Sequence, residues 1–141
     1  MSVTTCGEIK VLTIWGGEGP ASTLARRIIE AGEENGVRIV VNKAFSPEEA
    51  KEALKTFEPD LIICDGCIGF NDNKKSPCIY SDIRSWSRAV TVVIIGDEIL
   101  IRPDIWNKLL IDRLSWTLRP DNPSAEPEGM AGFVMEIMGV G

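Results

Sequence analysis

The 141-residue sequence contains no histidine. That removes the commonest general base at neutral pH, the commonest side-chain metal ligand and every histidine-dependent triad. Basic residues are in deficit: 15 Lys and Arg against 21 Asp and Glu give a net charge of -6. Nucleic acid and anionic membrane surfaces both want a basic face, so neither is expected as a partner. Long apolar runs are missing, which excludes a membrane span of the usual length. Residues Met1 to Lys10 lack the basic-then-apolar build of a secretory signal, so the cytoplasm is the expected compartment. Cysteine is sparse as well. Cys6, Cys64, Cys67 and Cys78 do not make a disulfide scaffold in a chain of this length.

What is present fits one soluble domain. Apolar residues make up 44% and charged residues 26%, both ordinary values. The stretch from Pro59 to Cys67 reads as a buried strand that ends on the carboxylate of Asp65. A near-continuous apolar run of this kind suits a strand covered on both faces. Glu8–Trp15 reads as a first strand, broken by Gly16-Gly17-Glu18-Gly19-Pro20. A helix is expected from Pro20 to about Glu34, with Gly36 as its C-cap. Val37–Val41 is β-branched and gives a second strand. Ser46-Pro47-Glu48-Glu49 is a capping box that opens a helix to about Phe57.

Further along, Tyr80–Arg88 reads as a short helix and Thr91–Ile95 as the fourth strand. Ile99–Ile101 is a candidate short fifth strand. A helix then runs to about Leu118, on the spacing of Trp106, Leu109, Leu110, Arg113, Leu114 and Thr117. Arg119–Gly129 is proline-rich and reads as a linker. Ala131–Gly141 is apolar again, either a terminal strand or arm packed on the domain or a docking segment for another chain. Strands alternating with helices over short links imply a doubly wound parallel sheet of the flavodoxin-like type, three layers deep, with four to five strands in the order 2-1-3-4 and any fifth beside the fourth.

On these residues the chain resembles a response-regulator receiver domain. Ala44–Leu54 is similar to the receiver's second helix with its lead-in, and Pro59–Asp65 to its phosphoacceptor strand, which puts Asp65 at the acceptor position. Thr91–Ile95 falls where the fourth strand should, and Arg102-Pro103 is similar to the lysine-proline before the last helix. The resemblance divides the chain into a receiver-like domain over residues 1–119 and a linker with an apolar arm over residues 120–141. Receivers carry an acidic pair after the first strand to hold magnesium, whereas Trp15-Gly16-Gly17 stands there, with Glu18 the nearby acid. Gly96 stands at the switch Ser or Thr. The resemblance therefore implies a pseudo-receiver: a non-catalytic regulatory module that binds a partner protein independently of phosphorylation.

Three groups of residues carry candidate sites. Asp65 and Asp97, with Gly96 and Arg102, end strands and face one crevice. They could share a cation such as magnesium there, or act as turn aspartates that cap backbone N–H groups. Gly16, Gly17, Glu18, Gly19, Ser22 and Thr23 form a glycine-rich stretch that opens a helix. Its free N–H groups suit a phosphate-bearing ligand or nucleotide, and the same glycines serve a tight strand-to-helix turn. This loop is also similar to that of sugar-specific phosphotransferase subunits of the IIB type, without their cysteine, and to a flavodoxin phosphate loop. Cys64 and Cys67 form a C-x-x-C that, with Cys78, is a candidate thiol or metal set; core thiols are the simpler reading. No cofactor is expected beyond such a phosphate-bearing ligand or Mg. The apolar arm offers a surface for homo-oligomers.

Overall fold

The computed structural model describes residues 8–15, 18–65, 80–86, 90–95, 107, 111–112, 115–118 and 127–139. Five strands, β1 (Glu8–Ile14), β2 (Arg38–Ala44), β3 (Leu61–Asp65), β4 (Thr91–Ile95) and β5 (Ser115–Leu118), form one sheet. Their order is β2-β1-β3-β4-β5 and each pairing is parallel. Helices α1 (Glu18–Glu34), α2 (Pro47–Ala53), α3 (Tyr80–Trp86) and α4 (Pro127–Ile137) cover it. This is the doubly wound, flavodoxin-like arrangement expected from the alternation of strands and helices.

The period-two alternation of strands divides the core in two. Leu12, Ile14, Ile62, Cys64, Val92 and Ile94 face α2 and α3, where Ala50 and Ile83 meet them. Val11, Leu61, Ile63, Val93 and Ile95 face the other way, onto Leu24 and Ile28 of α1 and Met130 and Val134 of α4. Consecutive residues of β1, β3 and β4 are thus buried on opposite faces, which is why these strands read as unbroken apolar runs.

Local signals fix the helix ends. α1 closes in a Schellman motif: Val37 N–H donates to Gly32 O at 2.8 Å and Gly36 N–H to Glu33 O at 3.2 Å. Gly36 takes φ 73°, the left-handed region that an L side chain rarely adopts. At the start of α2, Glu49 N–H donates to Ser46 Oγ at 3.1 Å, and the Glu49 carboxylate accepts from Phe45 N–H at 3.2 Å. α2 is shorter than expected, ending at Ala53 instead of near Phe57. Tight turns carry the chain from Leu54 to Phe57, because Pro59 disfavours helix at Glu58 and the chain must deliver Asp60 to β1. There Asp60 N–H donates to Lys10 O at 2.7 Å, and Lys10 N–H donates to Asp60 Oδ2 at 2.9 Å.

The C-terminal third differs most from expectation. The helix drawn through Leu118 does not extend that far: Ser115–Leu118 is a strand, pairing with Val92–Ile95. β4 is buried on both faces, and without β5 its outer edge would hold unpaired backbone groups, a cost that outweighs the helical spacing of a few side chains. Ile99–Ile101, the candidate fifth strand, lies outside the described residues. The apolar tail is helical from Pro127, inside the stretch read as linker, and packs along α1 with Met130 and Val134 fully buried. No helix among the described residues is long and apolar enough to cross a membrane.

Candidate functional site

A doubly wound sheet opens a crevice at the carboxyl ends of its strands, where the strand order reverses. The order here places that point between β1 and β3. Ile14 of β1 is in register with Cys64 of β3, so the next residues along the two strands are Trp15 and Asp65. On its other side Asp65 is in register with Ile95 of β4. The aspartate singled out in the sequence therefore ends the central strand of the sheet, at the reversal point.

Its neighbours on β1 carry no charge. Thr13 and Ile14 are fully buried, and Trp15 is half-buried against the core on the α1 side. Trp15 N–H donates to Ala44 O at 3.0 Å, which ties the end of β1 to the end of β2. Thr13 Oγ1 donates to Asn42 O at 3.5 Å. These three residues place no carboxylate at the carboxyl end of β1.

The glycine-rich stretch divides. Glu18, Gly19, Ser22 and Thr23 belong to the first two turns of α1, so the helix starts two residues before Pro20. Gly16 and Gly17 lie outside the described residues. Lys43 is a charge the sequence reading passed over. Residue 43 of β2 is in register with Thr13, and its Nζ donates to Ser22 Oγ at 3.3 Å. The signal for it was present in β2: Ala44 is buried, so Lys43 before it faces outward, at the carboxyl end of the strand beside α1.

The remaining candidates do not assemble into a described site. Gly96, Asp97, Arg102, Cys67 and Cys78 lie outside the described residues. Cys64 is fully buried in the core facing α2 and α3. Among the described residues, no group of three or more Cys, Asp or Glu could hold a metal ion. The position of β5 also revises one comparison drawn from sequence. The Arg-Pro pair that follows the fifth strand and precedes the last helix is Arg119-Pro120, not Arg102-Pro103, because Arg102 precedes β5 in the chain.

A second feature lies toward the β5 edge. Trp116 is 46% exposed, and its ring meets Phe133 of α4 edge to face, with centroids 5.7 Å apart and planes at 84°. Ile111, shortly before the strand, is 81% exposed. Between them Asp112 is anchored by Arg84 of α3: Arg84 Nε donates to Asp112 Oδ2 at 2.8 Å, and Nη1 to Val90 O at 2.7 Å.

No family sequence model matches the chain, and neither does any curated protein. Solved structures do. The chain is similar to chemotaxis response regulator CheY4 of Vibrio cholerae at 14% identity, with a TM-score of 0.62, covering 92% of this chain and 98% of that one. It is similar to the receiver domain of a sensor histidine kinase from Pseudomonas aeruginosa at 13% identity, with a TM-score of 0.63, covering 94% and 99%. That structure has a magnesium ion coordinated in its active site cleft. A two-component response regulator from Clostridium difficile aligns at 20% identity, with a TM-score of 0.63, over 92% and 95% of the two chains. The chain has the fold of response-regulator receiver domains.

Proposed function

We propose that the chain is a signalling module that uses a receiver scaffold to engage a partner protein without taking up a phosphoryl group. One observation carries this reading: beside Asp65, the carboxyl end of β1 is Ile14-Trp15, buried and half-buried, instead of a pair of acids. Phosphoryl transfer to a carboxylate needs a cation to neutralise the charge that develops, and magnesium needs hard oxygen ligands. An isoleucine and a tryptophan supply none. Among the described residues, the end of β1 places no carboxylate beside Asp65, and that feature supports the reading.

Exposed Trp116 and Ile111 favour a protein as the partner, since large apolar side chains left in water at one edge commonly mark contact surfaces. The acidic net charge of -6 fits a protein partner better than a nucleic acid or an anionic membrane, and we assign the module to the cytoplasm. Self-association through α4 is the form this takes if the partner is a second copy.

The test is a magnesium-dependent incubation with acetyl phosphate, read by intact mass and by amide NMR. The expected result is an unchanged mass and unmoved amides at Cys64, Asp65 and Ile95. A magnesium-dependent gain of one phosphate, abolished by Asp65→Asn, would make this an active receiver. One observation favours a second reading, a small protein that binds a phosphorylated ligand at the start of α1: Lys43 Nζ lies at Ser22 Oγ. Saturable shifts at Ser22 and Lys43 on addition of a nucleoside monophosphate, lost in Lys43→Gln, would establish it instead.

A further inference from the structure

The opposite end of the sheet carries a cavity that neither reading uses. It has a volume of about 450 Å³ and opens at the amino ends of β3 and β4. Leu54, Phe57, Pro59, Trp86 and Val90 line it, together with Glu58 and Asp60. Along β3 it lies about 13 Å from Asp65, at roughly 3.3 Å per residue, so it is separate from the crevice.

Its walls are held from several sides. Phe57 N–H donates to Ala53 O at 2.9 Å, and the reciprocal pair of bonds with Lys10 fixes Asp60. Val90 O accepts from Arg84 Nη1, which also clasps the Val90 side of the wall to α3. Leu54, Phe57 and Trp86 are packed against the buried core on this face, so the cavity is where that core reaches the surface. The volume falls in the range of small-molecule sites, and the lining mixes apolar side chains with exposed polar groups.

We infer that this cavity is a binding site for a small organic cation: a protonated amine on an apolar or aromatic body. The assignment follows from the combination of side chains. Two aromatic residues, Phe57 and Trp86, can hold an apolar body and attract a positive charge through their ring faces. The charged residues in the described lining are both acids, Glu58 and Asp60, and no described lining residue is basic. Within the described lining an anion would meet two carboxylates and no base, and a neutral ligand would leave their field unused; Arg84, which reaches the Val90 carbonyl, has its charge met by Asp112. At about 450 Å³ the cavity has room for one small molecule, which favours a free cation over a protein segment.

The test uses the full chain and three probes sharing one apolar body: phenethylammonium, phenethyl alcohol and phenylacetate. Binding is read by amide NMR at Glu58, Asp60 and Val90, and at the indole N–H assigned by Trp86→Phe. Saturable shifts are expected with the cation, and about ten-fold or weaker binding with the anion, as like-charge repulsion at two carboxylates implies. Glu58→Gln, at an exposed position outside the core, should weaken the cation about two- to five-fold, the scale of an exposed charge pair, and leave the alcohol unchanged. Equal affinity for all three probes would overturn the inference, leaving an apolar gap without charge selection. So would saturable binding of a short peptide alternating lysine and leucine with none of the small cation, because the cavity would then dock a protein segment.

Discussion

Replacing Gly32 by alanine should destabilise the fold, although alanine is the better helix former. Gly32 lies in the last turn of α1, where the helix runs closest to the start of β2. A Cβ there would sit 2.7 Å from both Cγ1 and Cδ1 of Ile39 and 2.8 Å from Val37 O. Ordinary carbon contacts are about 3.5–4.0 Å, so the two approaches to Ile39 are too short by close to 1 Å, and the approach to Val37 O is too short by about half that. Ile39 cannot swing away, being 4% exposed between α1 and the sheet. The Val37 backbone cannot retreat either, because Val37 N–H is bonded to Gly32 O in the motif that ends the helix. Overpacking of this kind costs about 1–3 kcal/mol, and the tight backbone contact argues for the upper half of that range. The helix propensity of alanine returns about 1 kcal/mol. The net expectation is a loss of about 1–2 kcal/mol.

The control is the same substitution in α4. A Cβ at Gly132 would meet nothing within 4 Å, so Gly132→Ala should stabilise by about 0.5–1 kcal/mol through helix propensity alone. At about 2.1 cal/mol/K of unfolding entropy per residue, a chain of this length moves about 3 °C in Tm per kcal/mol. Thermal melts followed by circular dichroism should therefore show Gly32→Ala about 3–7 °C lower and Gly132→Ala about 2–3 °C higher than the parent. Urea titrations should give the same signs with unchanged slopes. A Gly32→Ala variant as stable as the parent would refute the close approach of α1 and β2. A destabilised Gly132→Ala would refute the open face of α4.

Two further outcomes test local features on the other face. Ser46→Ala removes the acceptor for Glu49 N–H and should cost about 1 kcal/mol, with Ser46→Thr close to neutral, both read from urea midpoints. Asp112→Ala removes the carboxylate that holds Arg84 Nε at 2.8 Å, and should cost about 1.5–3 kcal/mol in the same assay. Asp112→Glu should recover part of that loss.

Legibility in the sequence followed the physics of each element. Thr91–Ile95 was read with its bounds intact because a strand buried on both faces cannot disguise itself: every residue must be apolar or β-branched. The strand order followed from alternation and chain handedness, which need no side-chain detail. Capping residues act on the nearest backbone groups, and so the start of α2 at Ser46-Pro47 was visible too. Lys43 was not, because its role depends on α1 and β2 lying side by side, a relation between residues 21 apart in the chain.

The misreading of Ser115–Leu118 has a definite cause, and it bears on function. Only Leu118 of that strand is buried, while Ser115, Trp116 and Thr117 are half-exposed or exposed, so the segment carries no apolar run to declare itself. Its strand character comes from outside, from the open edge of β4 that it must pair with. An element specified by its neighbour instead of by its own burial keeps the freedom to place large side chains in water. Trp116 uses that freedom. Its ring is steadied by Phe133 from one side and remains 46% exposed. Pairing to β4 fixes the backbone beneath it, and the anchor from Arg84 to Asp112 fixes the approach to the strand. A rigidly mounted, half-exposed aromatic loses little conformational entropy when it is covered, which is the property a contact residue needs. The weak sequence signal of β5 and the exposure of Trp116 therefore have one origin: the strand is held by backbone pairing, and its side chains other than Leu118 keep contact with solvent.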